Sequence, residues 1–134
     1  MAKHYELLVS ASDAEVLALV VGDRRRNRHP LEAEAADALT DVLMEARMVP
    51  HAQLPSDRVA MNSRVVYEEE PGGERRAVML VHPNEADAGS GRISVLSPVG
   101  RALLGRRPGS VVAAPMPGGR APKLRIVSAE RLSP

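Results

Sequence analysis

A run of closely spaced arginines lies between two apolar segments of this sequence. Asp23 is followed by four arginines within five positions, here named the arginine cluster: Arg24, Arg25, Arg26 and Arg28. Guanidinium groups at such density can bind the phosphates of a nucleic acid or the carboxylates of an acidic protein surface. The alternative is a solvated loop whose charges offset acidic helices beside it. Charge runs usually form solvated surface, so the residues alone favour the loop.

A pair of glycines has the spacing of a phosphate-binding loop but lacks its chemistry. Gly100 and Gly105 are separated by four residues, as in that loop. A phosphate loop continues with Lys and then Ser or Thr, which reach the phosphates and Mg²⁺. Arg106 and Arg107 occupy those positions here. We therefore predict no nucleotide site at these glycines.

Cysteine and histidine usage argues against metal or nucleophilic chemistry. The chain has no cysteine, which excludes disulfides, thiolate metal sites and cysteine nucleophiles. Its histidines lack the paired spacing of metal ligands, and we expect all four at the surface or in turns: His4, His29, His51 and His82. The sequence therefore predicts no catalytic residue, no metal site and no cofactor.

Composition and charge describe a globular chain with an uneven distribution of charge. The 134 residues are 44% hydrophobic and 26% charged, which suits one domain with a small appendage. The absence of Phe and Trp argues against a base-stacking surface. Residues 1–57 carry a net charge of −4, residues 58–91 carry −2, and residues 92–134 carry +7. The basic last third therefore suggests a charged partner.

We expect neither a membrane-spanning segment nor an export signal in this chain. The longest apolar stretch, residues 16–21, is far too short to cross a bilayer. The first residues lack a basic region that leads into an apolar core, as a signal peptide requires. We expect a cytoplasmic protein that makes no membrane contact and acts as a monomer.

The first 49 residues are predicted to form a short helical hairpin. Ser12-Asp13-Ala14-Glu15 has the form of a capping box, which predicts a helix over residues 13–21 that ends at Gly22. At nine residues this helix would be about 14 Å long. Pro30 suits the first turn of a second helix over residues 30–47, and the short connection makes the two helices antiparallel. Residues 50–57, with two prolines, are predicted to be a linker.

Residues 58–134 alternate between apolar and polar positions, which predicts strands. Glycine- and proline-rich turns separate the expected strands at residues 59–67, 75–82, 92–96, 109–116 and 123–131. A proline opens a short helix over residues 98–104, and Gly105 ends it. The fold class is therefore α+β: a helical hairpin followed by an antiparallel sheet with one short helix.

Two sequence blocks carry a resemblance to a known family. Residues 93–105, Ile-Ser-Val-Leu-Ser-Pro-Val-Gly-Arg-Ala-Leu-Leu-Gly, resemble the C-terminal domain of the bacterial Gre transcript-cleavage factors. Residues 59–65, Val-Ala-Met-Asn-Ser-Arg-Val, follow Pro55-Ser-Asp57 and are similar to the shorter relatives in that superfamily, the regulators of nucleoside diphosphate kinase. The resemblance extends over about residues 5–132.

The resemblance implies a fold and a partner. It implies an immunophilin-type (FKBP-like) sheet behind a short coiled-coil hairpin, and binding to RNA polymerase at the mouth of its secondary channel. The expected partner-binding positions, here named the docking segment, are Leu96, Ser97, Pro98, Val99, Arg101 and Ala102, and all but Leu96 match the family. Leu96 stands where Gre factors often place an aspartate. A prolyl isomerase site, which aromatic side chains line, is rejected because this domain has only Tyr67.

These observations lead to one functional hypothesis and two alternatives. We expect a non-enzymatic transcription regulator that binds RNA polymerase, competes with Gre factors and does not stimulate cleavage, because the hairpin tip offers only Asp23 as a Mg²⁺ ligand. Contact with nucleic acid in the transcription complex would be indirect. The first alternative is a true transcript-cleavage factor. The second is a nucleic-acid-binding module that uses the basic last third of the chain.

Overall fold

The computed structural model describes residues 7–26 and 30–131 of the chain. Its N-terminal part consists of β1 (Leu8–Ser10), α1 (Ala11–Arg26), α2 (Pro30–Glu45) and β2 (Arg47–Val49). Each helix has 16 residues, a length of about 24 Å. No helix in this described part of the chain is long and apolar enough to cross a membrane.

The first helix is longer than the sequence indicated at both ends. The Oγ of Ser10 accepts the backbone N–H of Asp13 at 3.1 Å, so Ser10 caps α1 and the predicted cap Ser12 lies inside the helix. Gly22 does not end α1, which continues to Arg26. A glycine within a helix costs only about 1 kcal/mol. The turn beyond Gly22 is held by ion pairs to α2, described below, which offset this cost.

A two-stranded parallel sheet at the base of the hairpin was not predicted. β1 pairs with β2 in the register Leu8–Arg47 and Ser10–Val49. Because α1 and α2 are antiparallel and equally long, the chain leaves α2 beside the point where it entered α1. The strand that follows α2 therefore runs parallel to the strand that precedes α1. Three-residue strands are too short to show alternation, which is why the sequence did not reveal them.

The second sheet confirms the α+β class and adds one parallel strand. Its five strands lie in the order β5-β4-β3-β7-β6. These strands are β3 (Ser63–Glu70), β4 (Arg75–Val81), β5 (Arg92–Ser94), β6 (Val111–Ala113) and β7 (Lys123–Arg131). All pairs are antiparallel except β4 with β5, because two 3₁₀ turns, Pro83–Glu85 and Ala88–Ser90, carry the chain back before β5 begins.

One hydrophobic core joins the hairpin to this sheet. Fully buried side chains come from both helices and from the sheet, for example Leu17, Leu39 and Val65. They belong to a single cluster that also contains Leu103 of α3 (Pro98–Leu103). Neither helix of the hairpin would be stable alone in water. Packing on the sheet therefore fixes the base of the hairpin.

Gly105 lies where the hairpin, the linker and α3 meet. Its N–H donates to the carbonyl of Val59 at 2.8 Å. Its own carbonyl accepts the N–H of Leu8 at 3.1 Å and Nη1 of Arg58 at 3.0 Å. Its φ of +79° lies in the left-handed region, and a Cβ here would lie 3.1 Å from the Leu8 carbonyl oxygen. Glycine is therefore required both by backbone conformation and by the close approach of β1.

We predict that Gly105→Ala destabilises the protein more than Gly109→Ala. Both glycines have positive φ, but a Cβ at Gly109 would meet nothing within 4 Å. Gly109→Ala should cost about 1 kcal/mol, the strain of a left-handed alanine. Gly105→Ala should cost about 2 kcal/mol or more, because it also crowds Leu8. Urea unfolding followed by circular dichroism measures both. Equal losses would contradict a constraint from β1.

Candidate partner-binding surface

Two serines shape the turn that leads into α3. The Oγ of Ser97 caps the helix by accepting the N–H of Gly100 at 3.0 Å, and it donates to the Ser94 carbonyl at 2.7 Å. The Oγ of Ser94 accepts the N–H of Leu96 at 3.0 Å. These bonds satisfy polar groups that a helix start otherwise leaves open. The docking segment is therefore held in one conformation.

Gly100 lets α3 pack directly on the end of β5. A Cβ at this position would lie 2.1 Å from the Ser94 carbonyl oxygen, a distance that no side chain can occupy. The Gly100 N–H is already bonded to Ser97. The spacing of Gly100 and Gly105 thus reflects close packing and a helix end.

Arg101 points back towards its own loop. Its guanidinium donates to the carbonyl of Leu96, and the side chain is half-buried. Burial lowers the pKa of Arg101, and the carboxylate of Glu34 on α2 opposes this change. Arg101 therefore links the middle of α3 to the loop that precedes it. Its structural role was not visible in the sequence.

The remaining residues of the docking segment differ in their exposure. Leu96 is buried at 8% exposure, whereas Val99 and Ala102 are partly buried and pack against the core. Pro98 is also partly exposed and occupies the first turn of α3. The six predicted residues thus differ in exposure, and only some of their side chains are accessible to a partner.

The arginine cluster is largely paired within the hairpin. Arg24 lies 3.2 Å from a carboxylate oxygen of Asp23 and 3.2 Å from one of Glu32. Arg25 lies 2.9 Å from Asp37 on α2. Arg26 is 75% exposed and lies 3.9 Å from Asp23. These pairs match the interpretation in which the arginines offset acidic helices.

Arg28 lies outside the described residues. For the other arginines, the sequence did not reveal two of the carboxylates with which they pair. Glu32 and Asp37 face the arginines only because of the register between α1 and α2. Sequence spacing within a single helix reveals contacts three or four residues apart. It carries no information about register across a hairpin, so these pairs could not be predicted.

The described residues provide no ready cation site. Among residues 7–26 and 30–131, no three His, Asp or Glu side chains lie close enough together to hold a metal ion. The Nδ1 of His82 accepts the N–H of Asn84 at 3.1 Å and thereby closes a turn, and His51 is exposed in a 3₁₀ turn. His4 and His29 lie outside the described residues.

Comparisons with known proteins agree on one family. Residues 54–131 match the family described as "Transcription elongation factor, GreA/GreB, C-term". A protein named regulator of nucleoside diphosphate kinase from Escherichia coli K12 is 40% identical over 95 residues, which cover 71% of this chain and 70% of the relative. Transcription elongation factor GreA from Mesorhizobium japonicum is 36% identical over 60% of this chain and 52% of its own length.

A solved structure extends the agreement to the whole fold. The prokaryotic transcription elongation factor GreA/GreB from Nitrosomonas europaea has a TM-score of 0.72 and 34% sequence identity. The superposition covers 92% of this chain and 98% of that chain, so it includes the hairpin as well as the sheet.

We predict that Arg101→Glu destabilises the fold. The substitution leaves the Leu96 carbonyl without its guanidinium donor and places a carboxylate near Glu34. The expected loss is about 2 kcal/mol. Arg120→Glu, in an exposed turn, is the control and should change stability by less than about 0.5 kcal/mol. Urea unfolding compares the two. An Arg101→Glu variant as stable as the control would show that the bond to Leu96 contributes nothing.

Proposed function

Because the chain belongs to the GreA/GreB family of transcription elongation factors, we propose that it is a non-enzymatic regulator that binds RNA polymerase at the entrance of the secondary channel. It occupies the position of a Gre factor without stimulating transcript cleavage, and so competes with such factors. It acts as a monomer in the cytoplasm, where its partner is found. The chain spans about half the length of the GreA relatives it matches, so their full activity is not carried over.

The observation that carries the polymerase assignment is the fixed geometry of the docking segment. Ser97 and Ser94 hold the turn before α3, and Gly100 seats the helix on β5. A surface fixed before binding loses little conformational entropy on association, so a small contact area can suffice. Pro98 is the natural contact residue, since the other members of the segment are engaged in capping or core packing.

The hairpin end supports binding without cleavage. Metal-assisted cleavage of a phosphodiester needs carboxylates that are free to hold Mg²⁺. The carboxylates described at this end of the hairpin, Asp23 and Glu32, both lie beside the guanidinium of Arg24. A bound Mg²⁺ would have to displace that guanidinium and would be repelled by its neighbours.

The short reach of the hairpin also supports binding without cleavage, although α1 is longer than the sequence predicted. Val21 is the last core residue of α1, and the five residues after it extend only about 8 Å beyond the core. Each helix of the hairpin is only about 24 Å long, which limits how far the hairpin end can reach. We infer that it meets the polymerase near the channel entrance rather than at the active centre.

We predict that Pro98→Glu weakens binding to core RNA polymerase by about tenfold. A carboxylate in the first turn of a helix interacts favourably with the helix dipole, so α3 itself should persist. The control is Pro83→Glu, because Pro83 also opens a short helix and is partly exposed. Biolayer interferometry with immobilised core enzyme compares them. Undiminished binding by Pro98→Glu would move the contact away from α3, and no binding by the parent protein would refute the polymerase assignment.

We predict no stimulation of RNA cleavage in backtracked transcription complexes with Mg²⁺. The physical reason is the pairing of Asp23 and Glu32 with Arg24. Added to a reaction with a cleaving Gre factor, the protein should instead lower the yield of shortened transcripts as its concentration rises. Cleavage above the intrinsic rate of the polymerase, abolished by Asp23→Asn, would establish the transcript-cleavage alternative.

A further inference from the structure

One edge of the five-stranded sheet is engaged by the chain itself. β5 is the strand at this edge. The N–H and the carbonyl of Arg92 both bond to Asp87, at 3.0 and 2.9 Å, and the carbonyl of Ser94 accepts the N–H of Ser97 at 3.0 Å. These bonds occupy backbone groups that an edge strand otherwise presents to another chain. The loops around β5 therefore cover this edge.

The opposite edge, formed by β6, is open. The N–H of Ala114 donates to the Pro122 carbonyl at 3.0 Å, so Ala114 is a bonded position of the pairing with β7. Because bonded and non-bonded positions alternate along an antiparallel pair, the N–H and carbonyl groups of Val111 and Ala113 point away from β7. In the described part of the chain these four backbone groups have no hydrogen-bond partner. They are named here the open edge.

The side chains of β6 show that solvent reaches the open edge. Val111 is 50% exposed and Ala113 is also exposed, whereas Val112 between them is buried in the core. Pro115 occupies the next position whose backbone points outward, and proline has no N–H to donate. Short edge strands and prolines prevent uncontrolled pairing between sheets. The open edge is therefore suited to a short segment of chain.

Positive charges flank the open edge. Between residues 107 and 125 the chain has no acidic residue and four basic ones, which are Arg107, Arg120, Lys123 and Arg125. Val111 lies opposite Arg125 in the sheet, and Ala113 lies opposite Lys123. Arg125 is paired with Glu70 at 2.6 Å, whereas exposed Lys123 forms no ion pair with the described residues. Because Ala113 is small, its side chain does not screen Lys123 from a strand added beside β6.

We propose that the open edge binds an extended, acidic segment of another protein, which joins the sheet as a further strand beside β6. The outward N–H and carbonyl groups supply the backbone hydrogen bonds of this strand addition. Lys123 supplies the charge complementarity that selects an acidic segment.

Two other occupants fit the open edge less well. A second copy of this chain would bring two sets of the same basic residues together, and like charges across an interface are unfavourable. The phosphodiester groups of a nucleic acid are hydrogen-bond acceptors, so they offer no donor to the outward carbonyls of Val111 and Ala113. An acidic peptide backbone provides both the donors and the negative charge.

The open edge is distinct from the docking segment. The docking segment follows β5, and β5 and β6 are the two opposite edge strands of the sheet. Binding of an acidic segment therefore does not depend on RNA polymerase, and the two interactions can be measured separately.

The first test uses the full chain and a short, fluorescein-labelled peptide of alternating glutamate and valine, whose affinity is measured by fluorescence anisotropy. Two further peptides have the same sequence with N-methyl groups, one on the glutamate nitrogens and the other on the valine nitrogens. Since only alternate N–H groups of an added strand face β6, one of these peptides should bind about tenfold more weakly and the other like the unmodified peptide. A peptide of alternating lysine and valine should not bind.

The second test changes the open edge. Ala113→Pro removes one outward N–H and no bond to β7, so it should weaken peptide binding about tenfold, whereas the matched control Ala113→Ser keeps this N–H and should bind like the parent protein. Lys123→Ser should weaken binding about fivefold and reduce its salt dependence. Arg92→Ser removes the same charge from the opposite edge and should change the affinity less than about twofold. Circular dichroism verifies that each variant is folded.

Each outcome of these tests decides the proposal. Unequal binding of the two N-methylated peptides supports it, even if Ala113→Pro does not fold. Equal binding of these peptides, or equal effects of Lys123→Ser and Arg92→Ser, would mean that net charge alone attracts the peptide and would refute the site. Absence of peptide binding at about 1 mM would also overturn the proposal. A dimer in sedimentation velocity, or tighter binding of a labelled single-stranded RNA, in either case lost in Ala113→Pro, would assign the edge to another occupant.

Discussion

The backbone N–H and carbonyl of Gly105 hold the parts of this protein in their relative positions. The carbonyl accepts from Leu8 at the entrance to the hairpin and from Arg58 at the end of the linker, while the N–H donates to Val59. Gly105, Val59 and Arg58 are buried, and buried polar groups without partners are costly. The arrangement is therefore satisfied only when hairpin, linker and α3 are all in place. This makes the docking of the hairpin part of the fold and not an optional contact.

A further contact between the two halves comes from the start of α1. Asp13 is near the helix N-terminus, where a carboxylate is favoured, and its Oδ2 accepts the N–H of Met61 at 3.0 Å. Met61 lies just before β3, so this bond ties the first turn of the hairpin to the central strand of the sheet. Together with Gly105, it fixes the hairpin at two points along its base. A helix held at two points cannot rotate freely about either one.

The sequence predicted well those elements whose signal is local. β7 has the predicted bounds, Lys123–Arg131, although its alternation shifts by one residue at Val127, where the pairing with β3 is irregular. α3 was found from Pro98 and Gly105, since both mark helix ends by backbone constraints that need no tertiary contact. The predicted start of the first strand, residue 59, was wrong: β3 begins at Ser63, and Val59 is buried through loop contacts to Arg106. Val59 and Ala60 are both buried, so the alternation of residue types there corresponds neither to alternating burial nor to strand pairing.

What could not be predicted depends on contacts between distant residues. The parallel pairing of β1 with β2, the ion pair of Arg25 with Asp37 and the junction of Arg58 with Gly105 all require knowledge of how two segments lie against each other. The ion pairs also show why the arginine cluster was ambiguous. If these arginines were unpaired, they could bind an anionic partner. The register of the hairpin decides whether they are paired within the protein instead.

The placement of α3 explains how so short a helix can present a binding surface. Six residues form less than two turns, and such a helix has no stability of its own. It persists because Ser97 caps its start, Leu103 is buried in the common core and Gly105 bonds its end to β1 and the linker. α2 contacts it from the side, with Glu34 near Arg101. The free energy that orders α3 is thus supplied by folding, so a partner that contacts it need not supply this energy again.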